Sequence, residues 1–183
     1  MKKFELTSEF NLNFFGRKFF RIKALVNIER YGVKAGDLGG WVEKEDNLSQ
    51  SGDAWVSGNA KVSGDAVVSG NAKVSGDAVV YGDAKVSGDA WVSGDAVVSG
   101  DAEVSGDADY AVIKGFGTVY RPTTFFRCHD GEARVTCGCF YGTIDEFREQ
   151  VKRTRKGKVA DEYLKIADLM EYHFKEEDSG ENV

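Results

Sequence analysis

The sequence predicts a mainly β fold, in which a solenoid of stacked six-residue repeats lies between a β-rich N-terminal cap and a small α+β C-terminal module. The first observation is the glycine content. The chain has 22 glycines and a single proline, and the excess of glycine lies in one block. The second is that all 12 phenylalanines lie outside that block, six on each side. We therefore expect three parts, at residues 1–50, 51–110 and 111–183.

Ten hexads follow one another from Ser51 to Tyr110 without an insertion. Each has Gly second, Asp or Asn third and Ala fourth, and nine of the ten end in Val. In the Ala-x-Val part, strand alternation sends Ala and Val to one side and x to the other. Gly accepts positive φ at the corner, and Asp or Asn bonds the nearby backbone. One hexad is thus a short strand plus a corner, which buries its Ala and Val only when it is stacked on others.

This period and spacing resemble the hexapeptide-repeat family of left-handed parallel β-helices, in which three hexads make one triangular coil. A right-handed β-helix and a pentapeptide-type solenoid are the alternatives, and the period of six disfavours the second. The resemblance implies that residues 18 apart share a face of the prism. The outward x positions then form three columns: Trp55, Lys73 and Trp91 on face one; Lys61, Val79 and Val97 on face two; Val67, Lys85 and Glu103 on face three.

Face one is the most unusual column, because two indoles flank a lysine at one-coil spacing. That arrangement predicts a cation–π contact between Lys73 and the rings of Trp55 and Trp91. Two interpretations stay open. The column is a surface ladder that stiffens the stack, or it is a docking face for a partner protein or for a second copy of the chain.

Charge divides the chain. The net charge is −6: residues 1–50 sum to +2, residues 51–110 to −7 and residues 111–183 to −1. An acidic chain has no electrostatic reason to bind nucleic acid directly or to seek an anionic membrane. The Asp and Asn residues also stack in corner columns. Acidic columns also occur in calcium-binding β-rolls, but those need glycine-rich turns with a period of nine, which this chain lacks. Corner hydrogen bonds are therefore the plain interpretation of the columns. A partner's basic groove is the functional alternative, contacted by Asp77, Asp83, Asp89 and Asp95.

The C-terminal part contains clear sequence signals for turns and for helix starts. Asp130-Gly131 predicts a hairpin between two strand-like runs. Thr143 and Glu146 form a capping box that opens a helix. A second amphipathic helix is expected from about residue 159 to residue 174. The module is therefore expected to be ββαα.

A basic cluster lies at the end of the first of these helices, at Lys152, Arg153 and Arg155. It lacks the interleaved aromatic residues of a single-strand nucleic-acid site. A solvated helix end is the plain interpretation, and contact with an acidic partner or nucleic acid is the functional one.

The cysteines and histidines argue against a metal site. Cys128, Cys137 and Cys139 do not have zinc-knuckle spacing, and the hairpin register keeps Cys128 from lying opposite Cys137. Buried thiols are the favoured interpretation. An odd number of cysteines fits a reducing cytosol better than a disulfide framework. The chain has only two histidines, so a three-histidine zinc site within one chain is excluded.

Catalysis is also disfavoured. Many hexapeptide β-helices are acyltransferases with a histidine on or near the coils and loops extruded from them, or γ-type carbonic anhydrases with three zinc histidines. The ten hexads here contain no histidine and no loop. We therefore predict no enzymatic activity and no cofactor.

A second resemblance concerns the flanks. The segments 36–45, 47–50 and 52–56 resemble bacteriophage and prophage hexapeptide-repeat proteins, and the tail segment 134–147 resembles a short module common in phage-encoded proteins. The resemblance implies a phage protein acting in bacterial host cytoplasm. Small phage proteins often bind and inhibit host defence systems, CRISPR systems included. We predict a non-enzymatic binding protein of this anti-defence kind. The alternatives are a self-associating structural module and, less favoured, a transferase-like β-helix.

Overall fold

A computed structural model describes residues 2–175 and contains a β-solenoid of about four turns with two helices at its C-terminal end. The solenoid strands are two residues long and pair in parallel with the strand three places along the chain. The predicted stacking of residues 18 apart is confirmed, for example by Lys61 beside Val79 and Val79 beside Val97. Left-handed winding stays a prediction. The nine strands are β4 (Trp55–Val56), β5 (Lys61–Val62), β6 (Val67–Val68), β7 (Lys73–Val74), β8 (Val79–Val80), β9 (Lys85–Val86), β10 (Trp91–Val92), β11 (Val97–Val98) and β12 (Glu103–Val104).

The interior of the solenoid is filled by the Ala and Val of the first nine hexads, all of them buried. Burying one valine stabilises the folded state by about 1.5–3 kcal/mol, so the repeated Val column is the main source of stability here. The corners depend on glycine. Gly76 has φ +69°, and a Cβ there would lie 3.0 Å from the backbone nitrogen of Gly94 in the next coil. A side chain at such a corner would be both strained and crowded.

The N-terminal cap continues one face of the solenoid. Strands β1 (Phe4–Leu12) and β2 (Lys18–Ala24) form an antiparallel hairpin, and β3 (Leu38–Val42) pairs with β2 on one side and in parallel with β5 on the other. Leu48 bridges to Val68 in the same parallel sense. The first coil therefore begins inside the segment expected to be a separate cap, because Val42 and Leu48 take positions above the Val columns without a hexad around them.

The tenth hexad leaves the stack. Asp107–Asp109 form a 3₁₀ helix, and Tyr110 opens β13 (Tyr110–Ile113). This strand joins β14 (Thr123–Arg127), β15 (Ala133–Cys137) and β16 (Phe140–Thr143) in an antiparallel sheet. The hairpin predicted at Asp130-Gly131 is confirmed between β14 and β15. The sequence predicts two strands for this module, and the sheet has four. The prediction is therefore wrong in omitting β13 and β16.

Two helices cover one side of this sheet. The predicted capping box opens α1 (Ile144–Thr154), since the Thr143 hydroxyl accepts from the Glu146 amide at 3.1 Å and the Glu146 carboxylate accepts from the Thr143 amide at 2.8 Å. Helix α2 (Gly157–Phe174) begins two residues before its predicted start. Within residues 2–175, neither helix combines the length and the apolar character needed to cross a bilayer.

Adjacent residues of β14 belong to two different cores. Phe126 is buried with the solenoid valines, and Phe125 is buried between the sheet and the helices. The Phe125 ring meets Phe147 edge-on at 5.9 Å between centroids, and Phe147 meets Tyr163 in the same way at 5.8 Å. Strand β14 thus closes the end of the solenoid with one side and supports the helical module with the other.

Candidate functional site

Trp55 is buried, with only 2% of its surface exposed. Strand β3 of the cap lies across it, and a Cβ built on Gly39 would come within 2.7 Å of the indole. The expectation of two exposed indoles on face one is therefore wrong for Trp55. It is a core residue of the cap junction and offers a partner no surface.

Lys73 nevertheless lies between two aromatic rings. Its ammonium nitrogen is 4.8 Å from the centroid of Trp91 and 4.9 Å from that of Tyr31. The predicted cation–π contact is confirmed for Trp91, and Tyr31 takes the place expected for Trp55. Tyr31 comes from the 3₁₀ helix of the cap and donates its hydroxyl hydrogen to the carbonyl of Asn71. The N-terminal cap thus holds one end of the face-one column.

Trp91 is the accessible member of this column, with half of its surface exposed. Its position is fixed by three hydrogen bonds. The indole N–H donates to the Ser75 hydroxyl at 2.9 Å, the backbone N–H to the Asp107 carboxylate at 2.8 Å, and the carbonyl accepts from the Tyr110 hydroxyl at 2.5 Å. An aromatic side chain held in this way is suited to binding, because little conformational entropy is lost when a partner covers it.

A shallow groove of about 470 Å³ opens beside Trp91. It exists because the tenth hexad turns away where the next coil of face one would lie. We call it the Trp91 groove. Its lining is a mixture of aromatic, small apolar and acidic side chains: Trp91, Ser93, Asp107, Tyr110, Ala111 and Val112.

The acidic corners are partly neutralised by the flanks, one ion pair to each corner column. Arg30 from the N-terminal cap binds Asp89 at 2.7 Å. Lys44 binds Asp65 at 2.7 Å, and this contact lowers the pKa of the Asp65 carboxyl. Lys114 from the C-terminal part binds Asp95. Each pair reduces the repulsion between carboxylates that lie one strand spacing apart, about 4.8 Å.

Asparagine has a similar role inside the columns. The Asn59 amide donates to Asp77 at 3.1 Å, one coil away, and Asn71 donates to Asp89 at the same distance. These corner hydrogen bonds therefore run from one coil to the next along a column, and not to the nearby backbone as expected from the sequence.

The four aspartates predicted as contacts do not share one surface. Asp77 and Asp95, which are 18 residues apart, lie in one corner column, while Asp83 and Asp89 lie in the other two. A single flat partner surface cannot contact all four. Of this set, Asp89 and Asp95 are in ion pairs, and Asp77 accepts the Asn59 hydrogen bond.

The basic cluster at the end of α1 is exposed. Lys152 binds Glu149 of its own helix at 2.8 Å, and Arg153 donates to the side-chain carbonyl of Gln150. Arg155 donates to the carbonyl of Thr154 at 3.1 Å. The charge of Lys152 is thus offset locally, and the two arginines bond only neutral oxygens among the described residues.

The three cysteines lie in different environments. Cys128 is buried, and desolvation together with the nearby Asp101 carboxylate raises its pKa to about 12. Cys137 is half-buried opposite Thr123, and Cys139 is exposed in the following turn. Cys128 and Cys137 are not cross-strand neighbours, as the register predicts. Across residues 2–175, no three His, Cys, Asp or Glu side chains converge on a position that could hold a metal ion.

Both histidines join the C-terminal module to the end of the solenoid. The His129 Nδ1 atom is 2.8 Å from the Glu103 carboxylate, and the His173 Nε2 atom is 3.0 Å from the carbonyl oxygen of Ala108. Glu103 is on the last solenoid strand, and Ala108 is in the 3₁₀ helix that follows it. These contacts position the module against the end of the solenoid.

An exposed aromatic tip was not found from the sequence. Phe14 is 98% exposed and Phe15 is 89% exposed, at the turn between β1 and β2. The Asn13 side-chain oxygen accepts from the amides of Phe15 and Arg17 at 3.0 and 2.9 Å, so the turn is well ordered by hydrogen bonds. The signal was present, because Asn13 and Gly16 around two phenylalanines are typical of a hairpin turn.

No protein-family profile and no curated protein matches the sequence. The candidate site is therefore assigned from its geometry. Its parts are the half-exposed Trp91, the adjacent carboxylate of Asp107 and the Tyr110 hydroxyl, all held on a rigid β-solenoid.

Proposed function

We propose that this protein is a non-enzymatic binding protein that contacts a partner protein through the Trp91 groove. The observation that carries the proposal is the half-exposed Trp91 indole, held by hydrogen bonds beside an open groove. Buried tryptophans at the centre of a contact supply much of the binding free energy in protein complexes. The stack below Trp91 is rigid, because each coil is hydrogen-bonded to the next along every face.

The charge around the groove favours a cationic partner surface. The solenoid block carries −7, and Asp107 lines the groove itself. An arginine of the partner can stack on the indole while its guanidinium pairs with this carboxylate. Complementary charge of this kind speeds association and makes it sensitive to salt.

Basic surfaces of this kind are typical of proteins that handle nucleic acid. Together with the resemblance to phage hexapeptide-repeat proteins, this motivates the finer proposal. The chain is encoded by a phage or prophage, acts in bacterial host cytoplasm, and inhibits a defence effector such as a CRISPR nuclease by occupying its basic groove.

The test begins with capture of partners from a bacterial host lysate at low and high salt, followed by titration of the purified partner against variants. We expect Trp91→Ala to weaken binding by about 30-fold, the loss typical of a tryptophan hot spot. Tyr81→Ala is the matched control, because Tyr81 is an exposed aromatic residue of the solenoid outside the groove. Asp107→Lys should weaken binding and reduce its salt dependence, whereas Asp83→Lys, at another corner, should not. Equal binding by the Trp91 and Tyr81 variants would overturn the proposal.

Self-association is a second candidate, favoured by the aromatic tip. Phe14 and Phe15 follow the exposed Phe10 and Leu12 closely in the chain, so four exposed apolar side chains lie towards one end of the β1–β2 hairpin. Large exposed apolar patches mark association surfaces. Light scattering over a range of concentrations tests this role. A mass that rises with concentration and returns to the monomer value in the Phe14→Ser/Phe15→Ser variant supports assembly, and a constant monomer mass excludes it.

A further inference from the structure

The arginines of this chain fall into two groups. Five of the nine form ion pairs with carboxylates among residues 2–175: Arg17, Arg30, Arg127, Arg134 and Arg148. Of the other four, Arg21 lies over the ring of Trp41 at 4.9 Å. The remaining three, Arg121, Arg153 and Arg155, gather around the C-terminal end of α1. The protein has an excess of six acidic charges, yet these three arginines have no carboxylate partner among residues 2–175. Their positive charge is therefore available to bind an anion.

Two of these arginines line one cleft. The cleft has a volume of about 150 Å³ and lies between the turn joining β15 to β16 and the connection between α1 and α2. Arg121 and Arg155 reach it from different segments, and Gln150 and Thr154 add polar groups. Phe147 and Tyr163 contribute an apolar wall, and no Asp or Glu is among the lining residues.

The Arg121 side chain is placed by the turn beneath it. Gly138 in that turn has φ +64°, and a Cβ there would lie 2.7 Å from the Arg121 Nη1 atom. The guanidinium thus lies directly against the turn, and a side chain at position 138 would displace it. The Arg155 guanidinium is placed by its hydrogen bond to the Thr154 carbonyl, which uses only one of its five N–H groups.

We propose that this cleft binds a phosphate group. Guanidinium groups pair with phosphate oxygens through parallel charge-assisted hydrogen bonds, and two of them from separate segments can bind one phosphate together. The volume suits a small group, since one water molecule needs about 10–15 Å³ of cavity volume measured in this way and a phosphate has five heavy atoms. Either free phosphate or a phosphomonoester supplies this chemistry. The site is distinct from the Trp91 groove and does not depend on the function proposed for that groove.

The cleft contains its own reporters. Cys137 and Cys139 line it, whereas Cys128 is buried in the solenoid core. A bound phosphate should slow the alkylation of the two cleft thiols. Burial raises the pKa of Cys128, so this thiol should react slowly with or without ligand and serve as an internal reference.

The experiment measures iodoacetamide alkylation of each cysteine by mass spectrometry during titration with inorganic phosphate, and separately with glycerol 3-phosphate. Chloride at equal ionic strength controls for screening. We expect saturable protection of Cys137 and Cys139 by phosphate and none by chloride. Tighter protection by glycerol 3-phosphate identifies a phosphomonoester as the better ligand, and equal or weaker protection identifies free phosphate.

Arg121→Gln and Arg155→Gln should each raise the half-protecting phosphate concentration by about tenfold, as expected for the loss of one charged hydrogen-bonding group. Arg153→Gln is the matched control, because Arg153 carries the same charge nearby without lining this cleft. An unchanged thermal unfolding temperature shows that each variant is folded. The proposal is overturned if phosphate gives no saturable protection, or if Arg153→Gln weakens protection as much as the two cleft variants do.

Discussion

The two ends of the solenoid are closed by different chemistry. At the N-terminal end the backbone ladder simply continues, because β3 hydrogen-bonds to the first full coil as one coil does to the next. The Trp41 amide donates to the Ala60 carbonyl at 2.9 Å, and the Glu43 amide donates to the Val62 carbonyl at 3.0 Å. The β1–β2 hairpin then extends the same sheet outward.

At the C-terminal end, side chains replace much of the missing coil. On face two, the Thr124 hydroxyl accepts from the Val97 amide at 2.9 Å, and the Thr136 hydroxyl donates to the Val97 carbonyl at 2.8 Å. On face one, Asp107 and Tyr110 satisfy the backbone of Trp91. On face three, backbone contacts remain, since the His129 amide donates to the Asp101 carbonyl at 3.1 Å.

This difference predicts how strongly the unfolding of each end region is coupled to the unfolding of the solenoid. A continuous backbone ladder couples the N-terminal cap to the coils beneath it, so the two should unfold together. The C-terminal module has its own core and meets the solenoid through Phe126, a few other side chains and a short backbone contact on face three, so its unfolding should be separable. The same difference leaves room for the Trp91 groove at the C-terminal end.

The largest expected effect comes from substituting the two phenylalanines of β14, each of which belongs to a different core. Phe126→Ala and Phe125→Ala should each reduce the free energy of unfolding by about 3–5 kcal/mol, because both remove a fully buried ring. The consequences should differ by region. Hydrogen exchange should rise over residues 144–174 in the Phe125 variant while 55–98 stay protected, and should rise around 97–104 in the Phe126 variant. Identical exchange patterns in the two variants would show that the module and the solenoid form one cooperative unit.

A second substitution tests the coupling at the N-terminal end. A Cβ at Gly39 would lie 2.5 Å from the Ile22 side chain and 2.6 Å from the Val56 carbonyl oxygen. Gly39→Ala should therefore cost about 3 kcal/mol by overpacking and shift a single urea transition that includes the solenoid.

Gly106→Ala is the control for this test. Gly106 has an extended backbone with φ −147°, and the nearest atom to its Cβ position is 4.0 Å away. Its substitution should change stability by less than about 0.5 kcal/mol. A separate early transition in the Gly39 variant, with the coils unaffected, would mean that the cap is not coupled to them.

A smaller effect is expected from the threonines that close face two. Thr136→Val and Thr124→Val should each cost about 1 kcal/mol, because each leaves a backbone group of Val97 without its hydrogen bond. Thr118→Val, in an exposed loop, is the control and should be neutral. Chemical denaturation of the single and double variants measures these costs. Neutral Thr124 and Thr136 variants would indicate that other contacts close this end.

An effect of similar size is expected from alkaline pH. The buried Cys128 has its pKa raised to about 12 from 9.0, so the folded state retains a thiol proton that the unfolded state loses. Stability from this group is present below pH 9 and is lost as pH rises toward 12, with about 1 kcal/mol lost at pH 10. The difference between urea midpoints at pH 8 and pH 10 should be smaller for Cys128→Ala than for the parent. Tyr141, whose pKa is also raised to about 12, should leave some alkaline sensitivity in the variant. If the difference between the two urea midpoints is the same for Cys128→Ala and for the parent, water enters the Cys128 site at high pH and the thiol loses its proton there as it does in the unfolded chain.

The repeat made most of the solenoid predictable. Its period determined which residues stack, and the identity of positions four and six determined which side is buried. Periodicity could not reveal that Trp55 is covered, because the covering residues, Gly39 and Ile22, belong to a flank with no repeat. The same limit applies to Tyr31, which replaces Trp55 as a partner of Lys73.

In the C-terminal module, local signals were reliable where one interaction determines the structure. The capping box at Thr143 and the hairpin at Asp130-Gly131 are of this kind. The sequence does not predict strands β13 and β16, because they are defined by backbone hydrogen bonds that form only in the folded module. Strand β13 pairs with β14, and β16 pairs with β15. The tenth hexad has the repeat sequence but ends with Asp109 and Tyr110, and the Asp109 carboxylate accepts hydrogen from the amides of Ser105 and Gly106, which stabilises a 3₁₀ turn in place of a strand.

The uninterrupted stacking of one hexad on another gives the molecule the properties of an adjustable spacer. Adding or removing 18 residues from the repeat changes the distance between the aromatic tip and the C-terminal cleft by about 4.8 Å, and every face keeps its neighbours. Adding or removing six residues instead turns the C-terminal module by a third of a revolution relative to the N-terminal hairpin. Whole coils therefore change the length at constant orientation, and single hexads change the orientation with only about 1.6 Å of added length, in both cases without redesigning the core.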